Sequence, residues 1–261
     1  MWHCIQPEQQ GAWLLTQGSA LYLSNNQLPQ GRAADFHLSN LPALQIGYWN
    51  EQPLYLVAEQ ENDSREYISL RSQLALADTQ FNLLQRGIEL NHFVKTHRFC
   101  GKCGEKTAMS DHEWAMQCQN SACGYRAYPV ICPSIIVAVR RGKEILLACH
   151  QRHKDSQIYT TLAGFVEVGE TFEQTVEREV FEETGIRVKN IRYFDSQPWA
   201  FPNSQMVGFL ADYESGDILL QEAEIVDAKW CHCDEALPNI PEQGTIARRL
   251  IETTLALCRQ A

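Results

Sequence analysis

The sequence predicts an α/β protein built from three successive parts. From about residue 131 onward, short apolar runs of strand character alternate with helical patterning, which marks 131–261 as an α/β domain. A short, polar, cysteine-rich stretch at 96–130 precedes it. Residues 1–95 carry short apolar runs broken by Gly, Pro and Asn, the pattern of a small, mainly β N-terminal domain of α+β type.

Taken in order, Ala12–Thr16, Ala20–Leu23, Leu44–Tyr48 and Leu54–Ala58 read as strands. Asp78 then reads as the cap of a helix with Phe81, Leu84, Ile88 and Phe93 near one face. Ile135–Val139 and Glu144–Cys149 read as a hairpin turning at Arg141-Gly142. A helix near 172–184, strands near 187–197, 204–213 and 228–233, and a last helix from about 244 complete the chain. In that last helix Ala247, Leu250, Ile251, Thr254, Leu257 and Cys258 recur at helical spacing as a core-facing stripe.

Composition narrows the function classes. The net charge of −10 over 261 residues argues against a protein that grips nucleic acid non-specifically through massed Lys and Arg. A phosphate-bearing ligand would have to be held by something else, and metal ions are the obvious means. The start, MWHCIQPEQQGAWLL, shows no basic segment followed by a long apolar run, so no signal peptide is expected. Ile135–Val139, the longest clearly apolar stretch, is too short to span a bilayer. A cytoplasmic chain with no membrane partner and reduced thiols is the expectation, and there ten cysteines suggest metal where they cluster.

The most informative segment is GFVEVGETFEQTVEREVFEETGI, Gly164 to Ile186. Thr171 and Gln174 stand at capping-box spacing, and Gly185 suits the left-handed position just past a helix end. Glu179, Glu182 and Glu183 stand at i, i+3 and i+4 and share one face. Like charges at that spacing destabilise a bare helix, and Glu182 and Glu183 lie at its C-terminal end, where the macrodipole disfavours anions. Such an arrangement calls for an offsetting partner, and hard divalent cations favour oxygen ligands. A merely solvated acidic face is the alternative.

Over its full length the segment resembles the Nudix box, G-x5-E-x7-R-E-U-x-E-E-x-G-U, at Gly164, Glu170, Arg178, Glu179, Val180, Glu182, Glu183, Gly185 and Ile186. The resemblance implies a loop–helix–loop within an α/β/α sandwich with a mixed sheet. It also implies hydrolysis of a nucleoside diphosphate linked to another moiety. It makes Glu179, Glu182 and Glu183 the catalytic carboxylates and, with Glu224 and the Ala163 carbonyl, ligands of catalytic Mg²⁺ or Mn²⁺. Arg178 and Glu170 match bracing positions. Glu183 would ligate metal or take the proton of a metal-bound water.

Cys100, Cys103, Cys118 and Cys123 form a C-x2-C-x14-C-x4-C pattern, the ligand set of a zinc ribbon. Four thiolates suit tetrahedral Zn²⁺, and an all-Cys site is structural rather than catalytic. The second pair is looser than C-x2-C, and His112 is the alternative ligand there. Cys4, Cys132, Cys149, Cys231, Cys233 and Cys258 read as small buried apolar residues.

After the box comes Ser196-Gln197-Pro198-Trp199-Ala200-Phe201-Pro202-Asn203-Ser204, similar to the SQPWPFPxS array of the bacterial NADH pyrophosphatases, with Ala200 in place of the central Pro. That group, also described as NAD-capped RNA decapping hydrolases, is similar along the whole chain. The resemblance implies a homodimer that cuts NAD(H) into nicotinamide mononucleotide and AMP and removes NAD caps from RNA. Phe165 and Tyr128 match aromatics that flank the nicotinamide, Tyr128 across the dimer. Gln197 to Ser204, namely Gln197, Pro198, Trp199, Ala200, Phe201, Pro202, Asn203 and Ser204, match substrate contacts, as does Ala247. Two other readings compete: a hydrolase of another dinucleotide or of a nucleotide sugar such as ADP-ribose, and a non-catalytic zinc-ribbon and nucleotide-sensing binding module.

Overall fold

The structure, a computed structural model, describes residues 2–60 and 63–260. It holds two compact units, Met1–Ile131 with Ala200–Asn203, and Cys132–Trp199 with Ser204–Ala261. In the first unit the strands are β1 (His3–Cys4), β2 (Gln10–Leu14), β3 (Thr16–Gln17), β4 (Ala20–Tyr22), β5 (Gln30–Arg32), β6 (Pro42–Trp49), β7 (Gln52–Val57) and β8 (Tyr67–Ser69). Helix α1 (Asp78–Thr96) follows, then β9 (Thr107–Met109), β10 (Met116–Cys118) and β11 (Arg126–Ala127). These strands form a sheet of order β1-β6-β7-β2-β5 and two small sheets, β3-β4-β8 and β11-β10-β9.

Each expected N-terminal strand has a counterpart, although Ala12–Thr16 is divided: β2 ends at Leu14 and β3 restarts at Thr16 in a different sheet. Helix α1 forms where expected and buries Phe81, Leu84, Ile88 and Phe93. Its cap is corrected by one residue. Ala77 is the N-cap, with no side-chain bond to the helix, and Asp78 is the first helical residue, where its charge suits the helix dipole.

The second unit runs β12 (Cys132–Arg141), β13 (Glu144–His150), β14 (Leu162–Phe165), α2 (Phe172–Thr184), β15 (Arg187–Trp199), β16 (Ser204–Ser215), β17 (Ile225–His232) and α3 (Ile246–Arg259). Its mixed sheet has the order β15-β16-β12-β13-β17, with β14 also paired to β12. The β12–β16 pair is parallel and β12–β14 antiparallel. The hairpin turn falls where the sequence places it, with Gly142 at φ 56°.

Strand periodicity explains the layers. Successive side chains of β12 point to opposite faces. Ile135, Val137 and Val139 join one core with Val176 and Val180 of α2. Ile136 and Ala138 join a second core with Leu250, Ile251 and Leu255 of α3. Both faces of the central strands are therefore covered, and an apolar run with no polar alternation is what such strands require. Each fully buried Val, Leu or Ile contributes about 1.5–3 kcal/mol by leaving water. The α3 stripe differs from expectation in detail: Ile246 and Leu255 are buried, while Ala247 and Leu257 are half-buried. Of the unclustered cysteines, Cys149, Cys231, Cys233 and Cys258 are buried, but Cys4 is exposed and Cys132 half-buried.

Helix α2 has the ends its sequence predicts. Gln174 N–H donates to Thr171 Oγ1 at 3.2 Å, and Thr171 N–H donates to Gln174 Oε1 at 2.9 Å. Gly185 closes the other end at φ 71°, its N–H donating to the Phe181 carbonyl at 2.7 Å. A Cβ there would lie 3.0 Å from both the Asp217 carbonyl oxygen and Leu219 Cβ. Gly185→Ala is expected to lower stability by about 1–2 kcal/mol, the cost of a left-handed L-residue, measured by denaturant unfolding. An unchanged midpoint would refute the strain.

Candidate functional site

Helix α2 places its carboxylates beside β14, and one guanidinium organises them. Arg178 Nε donates to Glu170 Oε1 at 2.6 Å and Nη2 to Glu170 Oε2 at 2.9 Å, a bidentate pair. Nη1 reaches Glu179 Oε1 at 2.7 Å and Glu182 Oε2 at 3.1 Å. Nη2 also donates to the Phe165 carbonyl at 2.9 Å, which ties α2 to the end of β14. Glu170 accepts further from Glu167 N–H and Thr175 Oγ1. The Arg178 guanidinium holds the Glu170 carboxyl down at about 2.

Gly164 sits where β14 faces α2, opposite Ile135 in register, and its carbonyl accepts from Ser134 Oγ at 2.8 Å. A Cβ on Gly164 would overlap the Glu179 carboxylate outright. Ala163 is the neighbouring β14 residue, paired with Ile136.

The three box carboxylates occupy different environments. Glu182 is exposed, Glu179 half-buried and Glu183 buried, at 1%. Burial raises the Glu179 carboxyl above its ordinary value. Burial first, then the charges of Glu179 and Glu224, pushes Glu183 up to about 8. Glu183 Oε1 lies 3.7 Å from His150 Nδ1, and Glu183 Oε2 is buried without a hydrogen-bond partner. A buried polar group left unpaired costs about 1–3 kcal/mol. Burial, with Arg152 and His153 nearby, pulls the His150 ring down to about 4, so the contact joins a neutral ring rather than an ion pair.

Glu224 is exposed and belongs to a segment bonded to the same elements. Gln151 N–H donates to the Glu224 carbonyl at 2.7 Å, and Gln221 N–H to the Glu183 carbonyl at 3.2 Å. Its charge acts on both Glu179 and Glu183. The donor set is all oxygen, and one of its atoms is buried and unpartnered, which suits a hard divalent cation. The oxygens are not drawn tightly together: among the described residues, no three of these carboxylates put ligand atoms within 4.8 Å of one another.

The cysteines are drawn together. The Sγ atoms of Cys100, Cys103, Cys118 and Cys123 all lie within 4.8 Å of one another, on the β9–β11 module, and His112 is not among them. The long C-x4-C spacing is absorbed by a turn in which Cys123 N–H donates to the Asn120 carbonyl.

The SQPWAFPNS segment divides. Gln197 is buried and uses both ends of its amide on the start of α3: Nε2 donates to the Gly244 carbonyl, and Oε1 accepts from Ile246 N–H, each at 2.8 Å. Pro198 and Trp199 are half-buried on β15, and Ser204 is buried at the start of β16 opposite Trp199. The turn, Ala200–Asn203, packs within the first unit. There Ala200 is fully buried with its N–H on Gln85 Oε1 at 3.0 Å. Phe201 lies under the Arg71 guanidinium at 4.3 Å, and Asn203 Nδ2 donates to the Val130 carbonyl at 2.8 Å. Pro202 is exposed and follows a cis bond. Phe165 and Tyr128 are both more than half exposed, at 59% and 53%, as free aromatic surface should be. Ala247 is half-buried against the α3 core.

Residues 131–253 match the NUDIX domain family, and residues 95–128 match the NADH pyrophosphatase zinc ribbon domain. The curated NAD-capped RNA hydrolase NudC of Mannheimia succiniciproducens is 66% identical over 98% of this chain and 97% of its own length. The chain belongs to the NAD-capped RNA hydrolase family of Nudix enzymes. Proteins of the same name from Actinobacillus succinogenes (62% identical, 99% of this chain, 100% of that one) and Shigella boydii (48%, 98% and 97%) extend the match. A crystal structure of a NUDIX hydrolase from Nitrosomonas europaea shares the fold, with a TM-score of 0.50 at 17% identity, over 63% of this chain and 93% of that one.

This Nudix site contains residues that sequence reasoning missed. His150 and Ser134 flank the apolar runs of β13 and β12, and no spacing sets them apart. Gly164→Ala is expected to displace the Glu179 carboxylate and lower kcat/KM by about 100-fold, the scale of a 1 Å misplacement, with the circular dichroism spectrum unchanged; wild-type turnover would refute the close fit. Elemental analysis should find about one zinc per chain, and removing it should unfold the β9–β11 module, since a structural zinc contributes folding energy directly. An equally stable zinc-free protein would overturn that role.

Proposed function

We propose that this enzyme hydrolyses the pyrophosphate of NAD(H) to nicotinamide mononucleotide and AMP, and removes NAD caps from the 5′ end of RNA. The observation that carries the reading is a complete box of carboxylates on α2, joined in one chain to the SQPWAFPNS segment and the four-cysteine ribbon. Relatives that match nearly the whole chain and bear the name NAD-capped RNA hydrolase support it. In this reading 1–95, 96–130 and 131–261 are three domains, the protein is a cytoplasmic homodimer, and the ribbon zinc is structural. Among the described residues no helix is long and apolar enough to cross a membrane.

Glu179, Glu182, Glu183, Glu224 and the Ala163 carbonyl would hold Mg²⁺ or Mn²⁺. The bound cations would neutralise pyrophosphate oxygens and lower the pKa of a bound water. Arg178 and Gly164 keep Glu179 in place, and Glu183 ligates or accepts a proton from its buried position. Phe165 and Trp199, with Tyr128 offered across the dimer, would give flat apolar surface on which a nicotinamide ring can stack, each contact being worth about 1–3 kcal/mol.

Glu183→Gln removes the charge and keeps the shape, so a folded variant should lose at least about 100-fold in rate; near-normal turnover would refute the assignment. A panel of NADH, ADP-ribose, NAD-capped RNA and triphosphate RNA, with Mn²⁺ and with chelator, distinguishes the substrate readings. AMP from NADH and 5′-monophosphate RNA from capped RNA are expected. Cleavage of ADP-ribose in preference to both would transfer the reading to nucleotide sugars.

A further inference from the structure

His150 ends β13, whose preceding residues Ile145, Leu146, Leu147, Ala148 and Cys149 are all fully buried. A polar ring in that company needs a reason. The pairing of β13 with β17 is regular up to Cys149 and slips between Cys149 and His150, where Ile225 becomes the partner. The extra residue at this bulge is Val226 of β17, so β13 itself continues without interruption through His150. His150 keeps the two-residue alternation of Leu146 and Ala148, which face the α2-side core, so its imidazole turns inward with only 5% of the side chain accessible and Nδ1 lies 3.7 Å from Glu183 Oε1.

The surroundings are polar but incompletely paired. Thr161 Oγ1 and Glu183 Oε2 are each buried without a hydrogen-bond partner, and the Thr161 backbone carbonyl faces the His150 ring as an acceptor. The turn that follows β13 anchors the opposite wall, because Gln151 donates through its backbone to the Glu224 carbonyl and through its side chain to the Glu222 carbonyl at 2.8 Å. One short turn thus touches Glu183 through His150 and the Glu224 segment through Gln151.

We propose that His150 is a positioning residue for Glu183: its ring N–H is the hydrogen-bond donor that fixes the Glu183 carboxylate when α2 and the Glu224 segment hold a divalent cation. A neutral imidazole offers one N–H, for which Glu183 competes with the Thr161 carbonyl; the observed separation to Glu183 is just outside hydrogen-bond reach, so a small rotation of either side chain makes that bond. An outer partner of this kind orients a ligand without touching the ion, and its loss typically weakens metal affinity by about 10–100-fold. The inference rests on the proposed reading that the α2 carboxylates bind the cation.

The test uses the full-length protein with His150→Phe, which fills the space without a donor, and His150→Gln, which keeps one. Mn²⁺ affinity is read by electron paramagnetic resonance of the free ion, and the melting temperature is read in chelator. His150→Phe is expected to bind Mn²⁺ about 10-fold or more weakly, to melt in chelator no lower than wild type, and to lose kcat more than KM. His150→Gln should recover part of the affinity. Should His150→Phe not fold, His150→Gln and His150→Asn carry the comparison, and the donor in each should retain more affinity than His150→Ala. Wild-type Mn²⁺ affinity in a folded His150→Phe protein, or a loss confined to melting temperature, overturns the proposal. Glu179→Gln is the control: if it loses Mn²⁺ while His150→Phe does not, this inference alone fails. If Glu179→Gln also keeps Mn²⁺, the metal reading of α2 fails first.

Discussion

The site depends on the Arg178 guanidinium. Four acidic side chains crowd one end of a 13-residue helix and the loop before it, and their mutual repulsion would open that face. Arg178 counters it geometrically as well as electrically. Its fork grips Glu170 from the loop, reaches Glu179 and Glu182 on the helix, and still donates to the Phe165 carbonyl on β14. A lysine could supply the charge but not this set of simultaneous bonds, since only the planar fork presents donors in fixed directions. The loop, the helix and the strand that carries Gly164 are consequently held as one object.

With that anchor in place, the fold can keep an unfavourable arrangement at Glu183. A carboxylate at 1% exposure, with one oxygen unpartnered and two acidic neighbours, opposes folding. The two apolar clusters on either side of the sheet supply the opposing stabilisation, because β12 and β13 bury both of their faces. Strain of this kind concentrates where a protein binds or reacts, and it persists only when the surroundings over-determine it. The polar residue at the end of β13 meets this carboxylate, and the close approach at Gly164 packs its neighbour Glu179.

Much of this was legible in the chain because the relevant forces are local. A capping box and a terminal glycine act within a few residues, so α2 is bounded by its own sequence. The box spacing, the cysteine pairs and the apolar runs of the sheet likewise carry information at fixed short intervals. Local signals failed where the partner lay elsewhere. Asp78 looks like a cap, yet the chain enters α1 one residue earlier. Nothing local announces that the Gln197 amide is bonded at both ends to the start of α3, 47 and 49 residues away. Leu257 fits the α3 stripe by spacing, but the face that meets the sheet takes Leu255 instead.

The sequence by itself determined the reaction class, the run of carboxylates on α2, the four-cysteine cluster and the order of the elements, because each rests on residue type at a set spacing. Only the tertiary structure decided which carboxylate is buried, why Gly164 admits no side chain, and that a histidine at the end of a distant strand meets Glu183. The physical reason is that desolvation and close contact depend on what packs from across the sheet. Sequence periodicity says which face of an element turns inward and leaves open what it meets there.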